Sequence, residues 1–205
     1  MQRKFSTGVI ISTYNNPQWL RKTLWGYACQ TYKDFELIIA DDGSDSEMSD
    51  LIAGFSRSTF PKAKHLWQPD NGFQKCTILN KALAAAEADY LIFTDQDCIP
   101  RADFVEAHLR YAKKGYFLSG GCFRLPMDIS TAATKEDIFS QRVFDLKWLK
   151  KQGLRSSFKN TKLLRLPIVS SFMNVITPTK ATWNGMNASG WKEDMLAVNG
   201  FNEQM

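Results

Sequence analysis

The sequence predicts an α/β protein built on a mostly parallel central sheet flanked by helices. Three observations predict it. Short runs rich in β-branched residues recur along the first half: Val9-Ile10-Ile11, Leu37-Ile38-Ile39 and Leu91-Ile92-Phe93. Stretches of helical period separate them, and the links are short. Repeated strand-helix alternation of this kind favours a parallel sheet with right-handed crossovers and helices on both faces.

Taken in order, Gly8 to Thr13 reads as a buried strand with little alternation. Asn16-Pro17 reads as an N-cap followed by proline at the first helical position. Leu20, Leu24, Tyr27 and Ala28 then recur at helical spacing, so a helix is expected to about Gln30. Phe35 to Ala40 is a second strand, ending in Asp41-Asp42-Gly43-Ser44. Ser46 is expected to cap a helix over Glu47 to Arg57, and Lys64 to Gln68 forms a short third strand. After the turn cluster Pro69-Asp70-Asn71-Gly72, one helical face carries Ile78, Leu79, Ala82, Leu83 and Ala86. A fourth strand, Tyr90 to Thr94, runs into Asp95-Gln96-Asp97. A helix over Asp103 to Lys113 and a strand over Tyr116 to Ser119 follow. Beyond Gly121 a helix over Lys135 to Gln152 is expected, with Val169 to Thr177 and Trp183 to Gly190 as strands or binding loops.

Composition fits a globular fold. The 205 residues are 44% apolar and 23% charged, which excludes collagen-like and disordered classes. Gly8 to Ser12 is too brief for a signal-peptide core or a membrane span. Cys29, Cys76, Cys98 and Cys122 form no Cys-x-x-Cys pair, so neither a zinc site nor a redox motif is indicated, and a cytoplasmic location is expected. Asn187-Ala188-Ser189 is formally a glycosylation sequon and reads as chance.

The formal excess of five positive charges is unevenly spread. Between Arg142 and Arg165 the chain carries Lys147, Lys150, Lys151, Arg155, Lys159 and Lys162, with Asp145 as the only acid. Such a run is either a solvated helix face with a basic loop or a surface for anionic lipid or a phosphorylated acceptor. No nucleic-acid-binding module accompanies it.

Three apolar strands hand over to polar residues at their carboxyl ends: Thr13-Tyr14-Asn15, Asp41-Asp42-Gly43-Ser44 and Asp95-Gln96-Asp97. In an open parallel sheet those ends share one edge, where ligands bind. Asp95 and Asp97 can hold a hard divalent cation through oxygen while leaving positions for water and phosphate; alternatively they end a strand and cap the next helix. Asp41-Asp42-Gly43-Ser44 is either a simple turn or an acceptor for a nucleobase or ribose. Lys75, near the start of a helix, suits phosphate or is a solvated lysine. His65 and His108 are isolated and carry no ligand role. Trp183 and Trp191 belong either to the core or to a sugar-stacking surface.

At these residues the chain resembles glycosyltransferase family 2, inverting enzymes with the GT-A type nucleotide-diphospho-sugar transferase fold. The resemblance rests on Val9 to Asn15, Gln30 to Ile38, Asp41 to Ser44, Asn71-Gly72 through Asn80, and Tyr90 to Pro100. It implies that Thr13, Tyr14 and Asp42 surround the nucleobase, with Asn15, Lys75 and Gln96 also on the nucleotide-sugar. Asp95 would reach the ribose and share, with Asp97, a manganese or magnesium ion on the diphosphate. The implied organisation is one domain over 1–205, with a nucleotide-sugar-binding part at 1–120 and an incomplete acceptor-side part at 121–205.

The tail, Lys192 to Glu203, resembles the acceptor-side region of the polysaccharide and galactosyltransferase-like branches. There the chain continues into a Trp/Gly-rich stretch whose Glu-Asp supplies the catalytic base. The expected base therefore lies beyond Met205, which marks the chain as an expected fragment, and Asp194 is the nearest substitute. The implied reaction moves a hexosyl unit from a UDP-sugar to a hydroxyl of a glycan or lipid-linked acceptor with inversion. A peripheral contact with an anionic membrane at its inner face accompanies that expectation. Two alternatives stand beside it: a non-catalytic nucleotide-sugar-binding module, and an aspartyl-phosphate phosphohydrolase using Asp95 as nucleophile.

Overall fold

The first apolar run becomes β1 (Thr7–Thr13), buried along its whole length. The computed structural model describes residues 5–61, 63–163 and 182–204. Beside β1 lie β2 (Glu36–Asp41), β3 (Lys64–Trp67) and β4 (Tyr90–Asp95), all parallel, followed in the chain by β5 (Leu118–Ser119) and β6 (Asn187–Trp191). Among the described residues the spatial order is β3-β2-β1-β4-β6-β5, and β6 runs antiparallel to both its neighbours. The intervening helices are α1 (Pro17–Ala28), α2 (Ser46–Ser58), α3 (Lys75–Ala85) and α4 (Phe104–Tyr111).

Strand side chains alternate between the two faces, so each face needs its own apolar cover. Val9, Ile11, Leu37, Ile39 and Ile92 pack with Leu20, Leu24 and Tyr27 of α1, Met48 and Ile52 of α2, and Val105 and Leu109 of α4. Ile10, Ile38, Ala40, Leu91 and Phe93 pack with Ile78, Leu79, Ala82 and Leu83 of α3. Burial on both faces explains why these strands read as unbroken apolar runs. Each fully buried Ile or Leu contributes roughly 1.5–3 kcal/mol.

The helix starts follow local chemistry. Asn16 caps α1 by accepting from the Trp19 amide at 3.4 Å, with Pro17 at the first turn. The cap of α2 is Asp45 rather than Ser46; its carboxylate accepts from the Met48 amide at 3.4 Å. An extended acidic residue suits the positive helix end, which leaves Ser46 as the first helical residue.

The chain divides into two compact units, Met1–Gly120 with Trp183–Met205, and Gly121–Thr182. The terminal segment, grouped with 121–182 by sequence order, thus belongs in space with the sheet. The second unit contains α5 (Met127–Ala132), α6 (Lys135–Phe139) and α7 (Leu146–Lys151), with Ile129, Leu149 and Leu154 at its core. The single helix predicted over Lys135 to Gln152 is broken. Gln141 adopts φ 60°, Ser140 Oγ bonds back to the Glu136 carbonyl at 2.7 Å, and Asp145 starts α7 by accepting from the Trp148 amide at 2.8 Å. Side chains that bond their own backbone compete with helix continuation, and here they win.

The strand predicted over Tyr116 to Ser119 shrinks to β5, because the Tyr116 amide closes a turn on the Lys113 carbonyl. Trp183 to Gly190 yields β6, at Asn187–Trp191, and α8 (Lys192–Ala197) follows it. Val169 to Thr177 lies outside the described residues. No helix among the described residues is long and apolar enough to cross a membrane.

Candidate active site

The carboxyl ends of β1, β2, β3 and β4 lie along one edge, because the four strands are parallel and in register. Hydrogen bonds lock their tails into one frame. Thr13 Oγ1 donates to Gln96 Oε1 at 2.5 Å, the Tyr14 amide donates to the same oxygen at 3.2 Å, and Gln96 Nε2 donates to the Tyr14 carbonyl at 2.9 Å. Gln96 therefore staples the end of β4 to the end of β1. Thr23 of α1 adds a bond to the Gln96 carbonyl at 2.7 Å.

Asn15 takes a left-handed φ of 38°, a conformation asparagine tolerates better than most residues. Its amide donates to Ser44 Oγ and its Oδ1 accepts from the Asp45 amide, both at 2.9 Å. That ties β1 to the turn after β2. In this turn Gly43 has φ 96°, and a Cβ there would stand 2.6 Å from the Asp70 Cα. Only glycine fits, both for its dihedral and for the close passage of the Asp70 loop.

Asp42 is 6% exposed, and the protein holds both of its oxygens. Gln68 Nε2 donates to Oδ1 at 2.6 Å and the Gln74 amide donates to Oδ2 at 2.9 Å. Gln68 is itself oriented by Lys81, whose Nζ donates to Gln68 Oε1 at 2.9 Å. Asp41 is fully buried. Burial pushes its carboxyl up, but hydrogen bonds from His65 and from Ser44 outweigh this and hold it below the usual carboxylate range. Tyr14 reaches over to Asp70 Oδ2 at 2.9 Å, and that bond raises the phenol above its ordinary value.

Asp95 Oδ1 accepts from Ser12 Oγ at 2.7 Å and from Lys75 Nζ at 2.5 Å. Lys75 is the first residue of α3, as predicted, and its ammonium lies against a carboxylate. Asp97 is exposed, with Cys98 Sγ 3.6 Å from its Oδ1. Among the described residues no three His, Cys, Asp or Glu side chains gather as a metal-binding group.

The edge thus unites Thr13, Tyr14, Asn15, Asp42, Lys75, Asp95, Gln96 and Asp97. It does not include Asp194. Trp191 pairs with Tyr90 at the start of β4, so α8 and its exposed Asp194 begin at the opposite edge, five residues or roughly 17 Å of strand from Asp95. Trp183 and Trp191 pack with Phe93 and Tyr90 respectively, so both serve the core. Sequence reasoning missed Gln68, Asp70 and the His65–Asp41 pair. The signal available was position: Gln68 and Asp70 directly follow β3 on the same carboxyl edge.

A parallel sheet ordered β3-β2-β1-β4, with an antiparallel strand beyond it and an acidic carboxyl edge, defines the GT-A class of nucleotide-sugar transferase folds. The chain belongs to glycosyl transferase family 2, whose pattern matches residues 8–172. It is 32% identical over 105 residues to a chondroitin synthase of Escherichia coli, a match covering 49% of this chain and 15% of that protein. It is 31% identical over 105 residues to a hyaluronan synthase of Pasteurella multocida, covering 49% of this chain and 10% of that one. The match therefore spans a small part of the length of these relatives. Among solved structures, a mannosyltransferase from Pyrobaculum calidifontis in complex with GDP-Man and Mn2+ superposes with a TM-score of 0.62 at 18% identity. That likeness covers the whole of this chain and 49% of the other, and it is one of fold.

Proposed function

We infer that the carboxyl edge binds a nucleoside diphosphate sugar, a UDP-sugar in preference to others, and that the protein moves its hexosyl unit to a hydroxyl with inversion. The observation that carries this reading is the shared frame of Thr13, Tyr14, Asp42, Asp95 and Gln96, supplied by β1, β2 and β4 and held by hydrogen bonds among Thr13, Tyr14 and Gln96 and from Ser12, Gln68, Gln74 and Lys75. Family membership supports the transferase class, and the relatives that are glycan synthases support a glycan or lipid-linked acceptor.

In this reading Asp42 accepts from the nucleobase, Tyr14 lies against the base, and Asp95 reaches the ribose. Lys75 moves from Asp95 to a phosphate oxygen. Asp97, with Asp95, would hold Mn2+ or Mg2+, which neutralises the departing diphosphate. The acceptor oxygen attacks the anomeric carbon from the face opposite the diphosphate, and the bond to the diphosphate oxygen breaks as the new glycosidic bond forms. A carboxylate base takes the acceptor proton.

A cytoplasmic protein resting on the inner face of an anionic membrane completes the reading. Lys147, Lys150, Lys151 and Arg155 support it, since all are exposed on or beside α7. Co-sedimentation with phosphatidylglycerol vesicles, absent with neutral ones, tests that part.

The central experiment is a thermal-shift series with UDP, GDP and ADP, with and without manganese, because a ligand of the native state raises apparent stability by mass action. UDP with manganese should give the largest shift. Equal shifts for the three nucleotides would remove the uridine assignment, and no shift with any of them would remove the donor reading.

A further inference from the structure

We propose that His65 is a positioning residue for donor binding, acting through Asp41 on the turn that carries Asp42. The proposal rests on the donor reading above.

The observation is the way β3 grips the turn after β2. His65 Nε2 donates to Asp41 Oδ2 at 2.9 Å. The other oxygen of Asp41 accepts from the Ser44 amide at 2.9 Å. Two residues on along β3, Trp67 Nε1 donates to the Ser44 carbonyl at 3.0 Å. Next in the chain, Gln68 Nε2 binds Asp42, and the Gln68 amide donates to the Asp41 carbonyl at 3.3 Å. His65, Trp67 and Gln68 thus reach Asp41, Ser44 and Asp42 in turn.

Asp41 is the keystone of this grip. It is fully buried, so its charge needs donors on both oxygens, and an ionised buried carboxylate without them is strongly unfavourable. Ser44 supplies donors through its amide and its side chain. His65, a quarter exposed at the edge of the sheet, supplies the donor to Oδ2. Without the imidazole, Asp41 must find a new donor or take up a proton. Either change turns the carboxylate away from its present setting, loosens its hold on the Ser44 amide and so frees the left-handed Gly43 step beside Asp42. His65 Nε2 is engaged by Asp41, so its effect on the donor runs through the turn.

The test compares His65→Ala with His65→Gln, whose amide can still donate to Asp41, and with Ile52→Val as a destabilised control outside the turn. Calorimetry with UDP and manganese measures affinity, and amide exchange at Ser44, followed by NMR without ligand, measures the turn. His65→Ala should weaken UDP binding about tenfold, the loss of one charge-assisted hydrogen bond, and speed Ser44 exchange. His65→Gln should restore both, and Ile52→Val should leave both near wild type. Unchanged affinity and unchanged Ser44 exchange in His65→Ala overturn the proposal, as does Gln failing to restore either. Wild-type protein that binds no UDP while Ser44 exchange still responds to His65→Ala separates failure of the donor reading from failure of the grip; it removes the donor part of the proposal and leaves only the turn.

Discussion

Lys75 Nζ stands 2.5 Å from Asp95 Oδ1, so one of the two carboxylates on β4's tail carries its own counter-ion. In the proposed reading a divalent cation would compete with the lysine for Asp95, so donor binding would exchange one positive charge for another and turn the ammonium toward phosphate. Lys75→Met should raise affinity for manganese alone and lower affinity for UDP with manganese, each by about tenfold, the scale of a charge pair at a partly exposed site. Titration with manganese, followed by electron paramagnetic resonance, measures the first effect and calorimetry the second. Manganese affinity unaltered by the substitution would show that the ammonium and the metal do not compete.

In the proposed reading Asp42 and Asp97 separate by role. Asp42 lies in the buried turn, whereas Asp97 is exposed at the tail of β4. Asp97→Ala should abolish most of the manganese-dependent part of UDP binding and spare uridine. Asp42→Ala should weaken uridine and UDP alike, metal present or not. Full metal-dependent affinity in Asp97→Ala would contradict the coordination.

Acid should destabilise the protein through His108. Its Nδ1 accepts from Ser189 Oγ at 2.7 Å and its Nε2 donates to Asn187 Oδ1 at 3.0 Å. Burial lowers its pKa to about 4 despite the Asn187 bond. The unfolded chain, near 6.5, binds the proton first, so stability falls as pH drops through 6.5 and levels near 4. The full loss is on the order of 3 kcal/mol. Asp41, held below the usual range, adds a further loss at lower pH. Urea titrations from pH 7 to 4 should show a shallower decline for His108→Gln than for wild type, and parallel curves would assign the acid limb elsewhere.

Two glycines should respond oppositely to alanine. Gly43 combines a left-handed φ with a Cβ path blocked by the Asp70 backbone, so Gly43→Ala should cost at least about 1–2 kcal/mol and weaken UDP binding. Gly54, inside α2 with nothing near its Cβ position, should gain about 0.5–1 kcal/mol as alanine. Thermal denaturation of both variants reads the contrast. A neutral Gly43→Ala would mean that the turn relaxes freely.

The parallel core was legible because strands buried on both faces leave a strong signature. Val9 to Ile11, Leu37 to Ile39 and Leu91 to Phe93 could be read as strands without any neighbour in view, and their polar tails followed. Gln68 was not legible in the same way, since a lone glutamine after a short strand gains meaning only when Asp42 comes within 2.6 Å of it. The broken helix at Gln141 was hidden for a related reason: its apolar period continues across the break, and only the bonds of Ser140 and Asp145 interrupt it. Asp194 looked like a substitute base in one dimension, and the antiparallel turn-back of β6 sends it to the wrong edge.

β5 and β6 are neighbours in the sheet, with Ser119 opposite Ala188, yet more than sixty residues separate them in the chain. The chain leaves at Gly120 and rejoins near Asn184, where the Gly120 amide donates to the Asn187 carbonyl at 2.7 Å and Asn184 Nδ2 donates to the Gly120 carbonyl at 2.9 Å. Two moorings so close together make the intervening unit a cassette. Because loop-closure entropy grows only slowly with length, the sheet is nearly indifferent to how much chain is spliced between them. A segment of another length between the same two moorings should therefore leave the register of the strands that carry Asp42 and Asp95 unchanged.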